Sequence, residues 1–105
     1  MNKTIIYLGL KDKDTKNQRI KTSAAIGILS ELTLPMTIVK GKGLWQGQRE
    51  NTLVLTLFND ESLVYAKALC QAIGKRFNQY SVFLEYYNFN DEPFISEVVI
   101  RYNNN

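Results

Sequence analysis

Apolar and polar residues alternate with two different periods along the chain. Residues 4–10 are mostly β-branched, aromatic or leucine, which is typical of a strand. After a polar stretch, apolar residues recur every fourth position from Ile20 to Leu32, which predicts an amphipathic helix over residues 17–32. Pro35 ends this helix, because the residue before a proline avoids helical backbone angles. The chain therefore opens with a strand followed by a helix.

The same change of period returns in the rest of the chain. Further strands are predicted over residues 36–39, 51–58, 81–89 and 94–102, and a second helix over residues 61–78. Asn59 and Asp60 offer side chains that suit the N-cap of this helix. Lys75 and Arg76 fall in its last turn, where the helix dipole favours cations. A turn is predicted at residues 90–93, between the last two strands.

These elements follow in the order β-α-β-β-α-β-β. Two split β-α-β units on one antiparallel sheet form a ferredoxin-like sandwich, an α+β fold with both helices on one face. We expect a single ferredoxin-like domain over residues 1–105, with a polar tail at residues 103–105. The other face of the sheet is then either covered by a second layer or used for function.

The fourth predicted strand is apolar on both of its faces. Its alternating sets are Val82, Leu84, Tyr86 and Phe83, Glu85, Tyr87. A strand with one solvated face alternates more cleanly between apolar and polar residues. Two apolar faces predict a covering layer, and a second copy of the chain is its simplest source. We therefore expect a homo-oligomer.

Composition excludes several kinds of protein and of site. The 105 residues are 45% hydrophobic and 22% charged, which is ordinary for a globular domain and not for a disordered chain. There is no histidine, and Cys70 is the only cysteine. Histidine-based catalysis, a His/Cys zinc site and an internal disulfide are thereby excluded. Cys70 is interpreted as a small core residue of the second helix, and we expect neither a cofactor nor a metal.

Localisation and charge narrow the set of partners. No apolar stretch approaches a membrane span and no signal peptide is recognised, so we expect a cytoplasmic protein with no membrane partner. Residues 1–49 hold nine Lys and Arg against three Asp and Glu, whereas residues 50–105 hold four against seven. A basic side favours an anionic ligand, a nucleic acid or an acidic protein. The alternative is that these charges only solvate the surface.

One segment combines glycines, cations and an aromatic residue. The candidate ligand-binding residues are Lys40, Gly41, Lys42, Gly43, Trp45, Gly47, Arg49 and Glu50. In a loop, glycines expose backbone N–H groups that suit a phosphate together with lysine and arginine, and Trp45 suits a base or a cation. The alternative is a twisted β-hairpin with glycine bulges, in which Trp45 packs into the core.

This segment resembles the second strand of PII-type nitrogen-signalling proteins and their trimeric relatives. The shared pattern is a strand that ends in Gly-x-Gly, here Thr37-Ile38-Val39-Lys40-Gly41-Lys42-Gly43, followed by a loop with a further glycine, Gly47. The topology of residues 3–89 is similar as well. The resemblance implies a trimer of ferredoxin-like subunits, with backbone groups near the glycines contacting a nucleotide in a cleft between subunits. The family's longer loop and its basic cluster after the third strand have no counterpart here.

The segment is also similar to the basic-Gly-aromatic-Gly octamer of RNA-recognition modules, which share this strand order. It lies on the second strand and not the third, and Lys42 occupies the place of a stacking aromatic. The candidates for base stacking are then Tyr7, Trp45, Phe83 and Tyr87. In a ferredoxin-like sheet such aromatic residues otherwise line an oligomer interface.

The acidic residues form no recognised catalytic set. Most lie in predicted loops, turns or helix starts, where structural roles explain them. Glu85 and Glu97 are predicted to face each other across the last hairpin, a pair that suits Mg²⁺ but has no third ligand. We therefore predict no catalytic residue, no metal site and no enzyme.

The sequence thus favours a non-enzymatic function. We expect a small regulatory or phage ligand-sequestering oligomer that binds an anionic ligand, for instance a nucleotide, in a subunit cleft lined by residues 40–50. The alternative is a module that binds a protein or a nucleic acid, such as a phage inhibitor of host defence. A structural role within a larger assembly is a third interpretation.

Overall fold

The computed structural model describes residues 1–11, 20–45, 47–88 and 93–101, and at Trp45 it describes the backbone alone. Five strands and two helices follow in the predicted order. They are β1 (Asn2–Gly9), α1 (Thr22–Ser30), β2 (Thr37–Trp45), β3 (Gln48–Asn59), α2 (Leu63–Arg76), β4 (Ser81–Tyr87) and β5 (Phe94–Val99). The β-α-β-β-α-β-β prediction is confirmed.

The strands form one antiparallel sheet in the order β2-β3-β1-β4-β5. β1 lies at the centre, so Ile6 stands opposite Leu55 of β3 on one side and Leu84 of β4 on the other. β5 extends the sheet beyond β4. This is the α+β, ferredoxin-like class that the element order predicted.

One face of the sheet carries the hydrophobic core, and both helices pack on it. The central strands contribute the almost fully buried residues Ile6, Leu8, Leu53, Leu55, Leu57 and Leu84. Helix α1 adds Ala25 and Leu29 to the same cluster, and α2 adds Ala66, Cys70 and Ile73. Cys70 is a core residue, as predicted. Desolvation raises the pKa of its thiol to about 12, which makes it a poor nucleophile.

Helix α2 begins later than the pattern predicted, because a different residue caps it. The Ser62 hydroxyl accepts a hydrogen bond from the Tyr65 N–H at 3.2 Å. The side chain of Asn59, a predicted cap, instead accepts from the Glu61 N–H at 3.1 Å, before the helix starts. Serine is as favoured an N-cap as asparagine or aspartate, so the cap moves to Ser62 and the helix begins at Leu63.

The glycine-rich segment is a β-hairpin and not a loop. β2 continues to Trp45 and β3 begins at Gln48, with Gly43 opposite Glu50. Gly47 stands in the connecting turn with φ of 77°, a left-handed conformation that glycine adopts without strain. The hairpin alternative is confirmed and the loop interpretation is wrong, because residues Thr37 to Trp45 pair with β3 in one continuous antiparallel register.

Some predictions concern residues outside the described ranges. These are the polar stretch at residues 12–19, the turn at residues 90–92 and the tail at residues 103–105. Whether the Trp45 side chain lies in the core falls outside them as well. The helix predicted over residues 17–32 begins later, at Thr22 with Lys21 as its N-cap, and the strand predicted over residues 94–102 ends earlier, at Val99. In the described part of the chain, neither helix is long and apolar enough to cross a membrane.

Candidate active site on the open face of the sheet

The face of the sheet that the helices leave uncovered, here called the open face, carries exposed apolar side chains. They come from four strands and are Val39, Phe58, Phe83, Ile95 and Val99. Phe58 is 57% exposed and Ile95 is 65% exposed. On β4, Leu84 is buried in the core while Phe83 lies on the open face, so this strand is apolar on both faces, as predicted.

Two tyrosines hold a carboxylate at one end of the open face. The Tyr7 hydroxyl donates a hydrogen bond to Glu85 Oε1 at 2.5 Å, and the Tyr87 hydroxyl donates one to Glu85 Oε2 at 2.5 Å. The register explains this meeting. Glu85 stands opposite Ile5, which shares the open face with Tyr7 two positions further along β1, and Tyr87 follows Glu85 by two positions.

These hydrogen bonds determine the protonation states of all three groups. Because both phenols donate to the charged form of the carboxylate, they lower the pKa of Glu85. The contact with Glu85 raises the pKa of Tyr7 to about 12, and it raises the pKa of Tyr87 too. At neutral pH the arrangement is an ionised carboxylate between two neutral phenols.

A lysine and another aromatic ring lie beside this arrangement. The Lys3 ammonium is 5.8 Å from the Tyr87 ring centre and 5.9 Å from the Phe58 ring centre, within cation–π range. Lys3 stands directly opposite Phe58 on β3 and Tyr87 on β4. We call Lys3, Tyr7, Phe58, Glu85 and Tyr87 the aromatic–carboxylate cluster.

This cluster suits an organic cation better than a metal ion. Aromatic faces and a carboxylate together attract large, weakly hydrated cations. Among the residues that the structure describes, no group of three side chains could hold a metal ion. Glu97 stands opposite Phe83 and not Glu85, and it accepts a hydrogen bond from the Ser81 hydroxyl at 2.6 Å. The prediction that Glu85 and Glu97 face each other is therefore wrong.

A second carboxylate lies at the other end of the open face, among glycines. A β-carbon at Gly9 would meet Glu50 Oε1 at 2.5 Å, so only glycine leaves room for the carboxylate in this position. Glu50 stands opposite Gly43 on β2. Desolvation raises the pKa of Glu50, although a hydrogen bond from the Lys11 N–H opposes the rise. We call Gly9, Gly43 and Glu50 the glycine end.

The structure separates the predicted ligand-binding residues. Lys40, Lys42 and Arg49 lie on the helix side of the hairpin, Gly41, Gly43 and Glu50 lie on the open face, and Gly47 stands in the turn. The Lys42 ammonium donates to the Asn51 side chain at 2.5 Å. Of Trp45, only the backbone is described. Because alternate residues of a strand point to opposite sides, these residues do not converge on one point, and ligand binding by either subset stays a prediction.

Sequence reasoning did not assemble the aromatic–carboxylate cluster. Tyr7 and Tyr87 are named only as candidates for base stacking under the RNA-recognition resemblance, Glu85 belongs to a pair that lacks a third metal ligand, and Lys3 is not singled out. The available signal was a charged residue, Glu85, on a strand that is otherwise apolar or aromatic. Its partner Tyr7 lies 78 positions away in sequence, so only the sheet register reveals the contact.

Comparison with known proteins finds likeness in structure but not in sequence. No protein-family model and no curated protein matches the chain. A phage SAM lyase in the apo state superposes with a TM-score of 0.70 and 18% identity, over 97% of this chain and 91% of that chain. A phage SAM lyase in complex with S-methyl-5'-thioadenosine gives a TM-score of 0.65 and 18% identity, over 93% of this chain and 88% of that chain. At 18% identity, the superposition shows a shared fold and nothing more specific.

This likeness corrects the functional prediction. Both solved neighbours are an enzyme, whereas the sequence analysis predicted a non-enzymatic regulatory or ligand-sequestering protein. That prediction is wrong. It relied on the lack of a histidine- or cysteine-based catalytic set, and a site built from glutamate, tyrosine and lysine leaves no such mark in a sequence.

Proposed function

We propose that this protein is a lyase that cleaves S-adenosylmethionine. The observation that carries the proposal is the aromatic–carboxylate cluster, in which Glu85 is ionised between two phenols and beside aromatic rings. The sulfonium centre of S-adenosylmethionine is a large organic cation of the kind that aromatic faces and carboxylates attract. The fold that the chain shares with phage SAM lyases supports the same substrate.

The reaction needs little acid–base catalysis. When the bond between sulfur and the amino-acid side chain breaks, both electrons go to sulfur, which becomes the neutral thioether of S-methyl-5'-thioadenosine. The carbon fragment regains a closed shell by releasing a neighbouring proton or by bonding to its own carboxylate oxygen. Atoms and charge then balance without a co-reactant. Since the leaving group is cationic before cleavage, it needs no proton donor, and a site without histidine suffices.

The cluster residues have distinct tasks in this proposal. Glu85 attracts the positive charge of the substrate, and its lowered pKa keeps it ionised below neutral pH. The ring faces of Phe58 and Tyr87 contact the Lys3 ammonium and position it, so the attraction for the sulfonium centre comes from Glu85. Tyr7 and Tyr87 hold the Glu85 carboxylate in one orientation, because each hydroxyl binds a different oxygen.

We further propose that the protein acts as a cytoplasmic homo-oligomer. The exposed side chains of Phe83, Ile95 and Val99 form an apolar surface outside the cluster that association of copies would bury. A trimer is the form that the PII-type resemblance implies. In such an assembly Gly41, Gly43 and Glu50 remain candidates for contacts with the nucleoside part of the substrate, since they lie on the same open face as the cluster.

Incubation of the protein with S-adenosylmethionine, with S-methyl-5'-thioadenosine measured by chromatography, tests the proposal. We expect product from the wild type and a loss of about 100-fold in kcat/KM for Glu85→Gln, since that change removes the charge that faces the cation. Glu97→Gln is the matched control, because it changes another acid of the open face, and we expect full activity. No product from the wild type overturns the proposed function, and full activity of Glu85→Gln overturns the assignment of the cluster.

A further inference from the structure

Lys3 brings a positive charge to the open face and forms no ion pair within the described part of the chain. Its ammonium lies 5.8 Å from the ring centre of Tyr87 and 5.9 Å from that of Phe58. These two rings restrict where the ammonium can lie. A ring face occupies little of the hydrogen-bonding capacity of an ammonium group, which has three N–H donors. Lys3 is thus positioned and still able to bind an anion.

Lys3 and Glu85 place opposite charges close together on one face. Lys3 stands opposite Tyr87, and Glu85 precedes Tyr87 by two positions on the same face of β4. Diagonal neighbours of this kind have backbones about 7–8 Å apart. The ammonium acts on the carboxylate through space and helps to lower the pKa of Glu85. The cluster therefore presents a positive and a negative group side by side.

An α-amino acid is the matching ligand, because it carries an ammonium and a carboxylate on one carbon. We infer that Lys3 binds the α-carboxylate of the substrate's amino-acid part while Glu85 attracts its positive charges. This inference rests on the proposed function and adds a requirement to it. Adenosyl compounds with a free α-carboxylate are selected over otherwise identical compounds without one, and Lys3 is the residue that determines this specificity.

Another lysine of the protein provides a matched control. Lys67 of α2 lies 4.7 Å from the Phe94 ring centre, on the helix side of the sheet. It makes the same kind of lysine–ring contact, away from the open face. If Lys3 only covers aromatic rings, replacing either lysine has the same effect on ligand binding.

The test is a binding cycle with two thioethers whose neutral sulfur is a poor leaving group. S-adenosylhomocysteine carries the α-carboxylate, and its decarboxylated amine lacks it. Titration calorimetry measures the Kd of both for the wild type and for Lys3→Met, Lys3→Arg and Lys67→Met. We expect the wild type and Lys67→Met to bind the carboxylate-bearing compound about 10-fold more tightly, as one charge-assisted hydrogen bond typically provides. Lys3→Met should bind both compounds equally, and Lys3→Arg should keep the preference.

An undiminished preference in Lys3→Met overturns the inference, as does a wild type that binds both compounds equally or neither. Thermal unfolding establishes that each variant is folded. Should Lys3→Met fail to fold, Lys3→Gln replaces it in the cycle. The binding cycle involves no turnover, so it does not test the proposed function. That function is overturned by a separate result, which is a wild type that does not cleave S-adenosylmethionine.

Discussion

Two glutamates lie at opposite ends of the open face in contrasting surroundings. At the aromatic–carboxylate cluster, Glu85 accepts hydrogen bonds from two phenols, and its pKa lies below the ordinary value for glutamate. At the glycine end, Glu50 is partly buried beside Gly9, and its pKa lies above that value. The same side chain is favoured as an anion in one place and disfavoured in the other.

The contrast shows that hydrogen-bond donors and burial decide in which direction the pKa of a carboxyl group shifts on this sheet. Donors directed at a carboxylate stabilise its charge, whereas burial with too few donors penalises it. Glu50 has the Lys11 N–H as a donor, yet desolvation outweighs it.

The two shifts affect stability with opposite signs. Glu85, whose pKa falls on folding, stabilises the fold above its unfolded pKa, and this contribution is lost as the pH falls through its folded pKa. Glu50, whose pKa rises on folding, weakens the fold above its folded pKa, and this penalty disappears below its unfolded pKa. Substituting one glutamate at a time therefore separates the contribution of each end of the open face to the pH dependence of stability.

Among changes that leave Glu85 in place, removal of both phenolic hydroxyls should have the largest effect. In the double variant Tyr7→Phe/Tyr87→Phe, Glu85 loses both donors, so its pKa rises and the acidic limb of the pH profile moves to higher pH. We expect kcat/KM for S-adenosylmethionine at neutral pH to fall about 10- to 100-fold, since two hydrogen bonds to a charged group are lost. Initial rates from acidic to neutral pH measure both changes.

Tyr86→Phe is the control for this double variant. Its hydroxyl donates to the Glu61 carbonyl oxygen at 2.8 Å, on the helix side of the sheet. This change removes a tyrosine hydrogen bond without touching Glu85, so the acidic limb should stay in place. An unmoved acidic limb in the double variant would show that the phenols do not determine the charge of Glu85.

A substitution in the turn of the hairpin that carries the glycine end should lower the stability of the fold and leave the cleavage reaction unchanged. We expect Gly47→Ala to lower the free energy of unfolding by about 1–2 kcal/mol, because φ of 77° is unfavourable for alanine. Gly41→Ala is the control, since the nearest atom to its added β-carbon is the Thr52 carbonyl oxygen at 3.9 Å. Thermal unfolding followed by circular dichroism compares the two. Equal losses would contradict the special role of Gly47.

The smallest expected effect is a gain in stability at the glycine end. Glu50→Gln keeps the size of the side chain and an acceptor for the Lys11 N–H but removes the charge that desolvation disfavours. We expect the free energy of unfolding at neutral pH to rise by roughly a few tenths of a kcal/mol, since Glu50 is only partly buried and solvent screens it. Denaturant unfolding at neutral and acidic pH should show the gain disappearing below the ordinary pKa of glutamate.

Local patterns were sufficient to predict the elements of this fold. The spacing of four from Ile20 predicted α1, and the apolar stripe of the second helix placed Cys70 in the core, where the structure has it. Boundaries were less certain, because Ser62 competes with Asn59 as a cap. From the sequence, Gly41 and Gly43 fit either a loop or a hairpin, and pairing with β3 shows that they lie in β2.

The candidate site was only partly predictable. The sequence marks Tyr7 and Tyr87 only as candidates for base stacking, and it marks Glu85 only as part of an acidic pair that is too small to hold a metal ion. Residues 40–50 were treated as one site because they are adjacent in sequence. In a strand, however, residues next to each other in sequence point to opposite faces of the sheet. Lys42 therefore lies on the helix side and Gly43 on the open face.

By itself, the sequence determined the order of the elements, which strand faces are apolar and the lack of histidine chemistry. Each of these follows from residue composition or from the backbone geometry of a few consecutive residues. Only the tertiary structure decided that Tyr7 meets Glu85 and that Lys3 lies over Tyr87, because these contacts depend on the register of β1 against β4. That register results from packing the whole sheet against its helices, and no single segment of the sequence contains it.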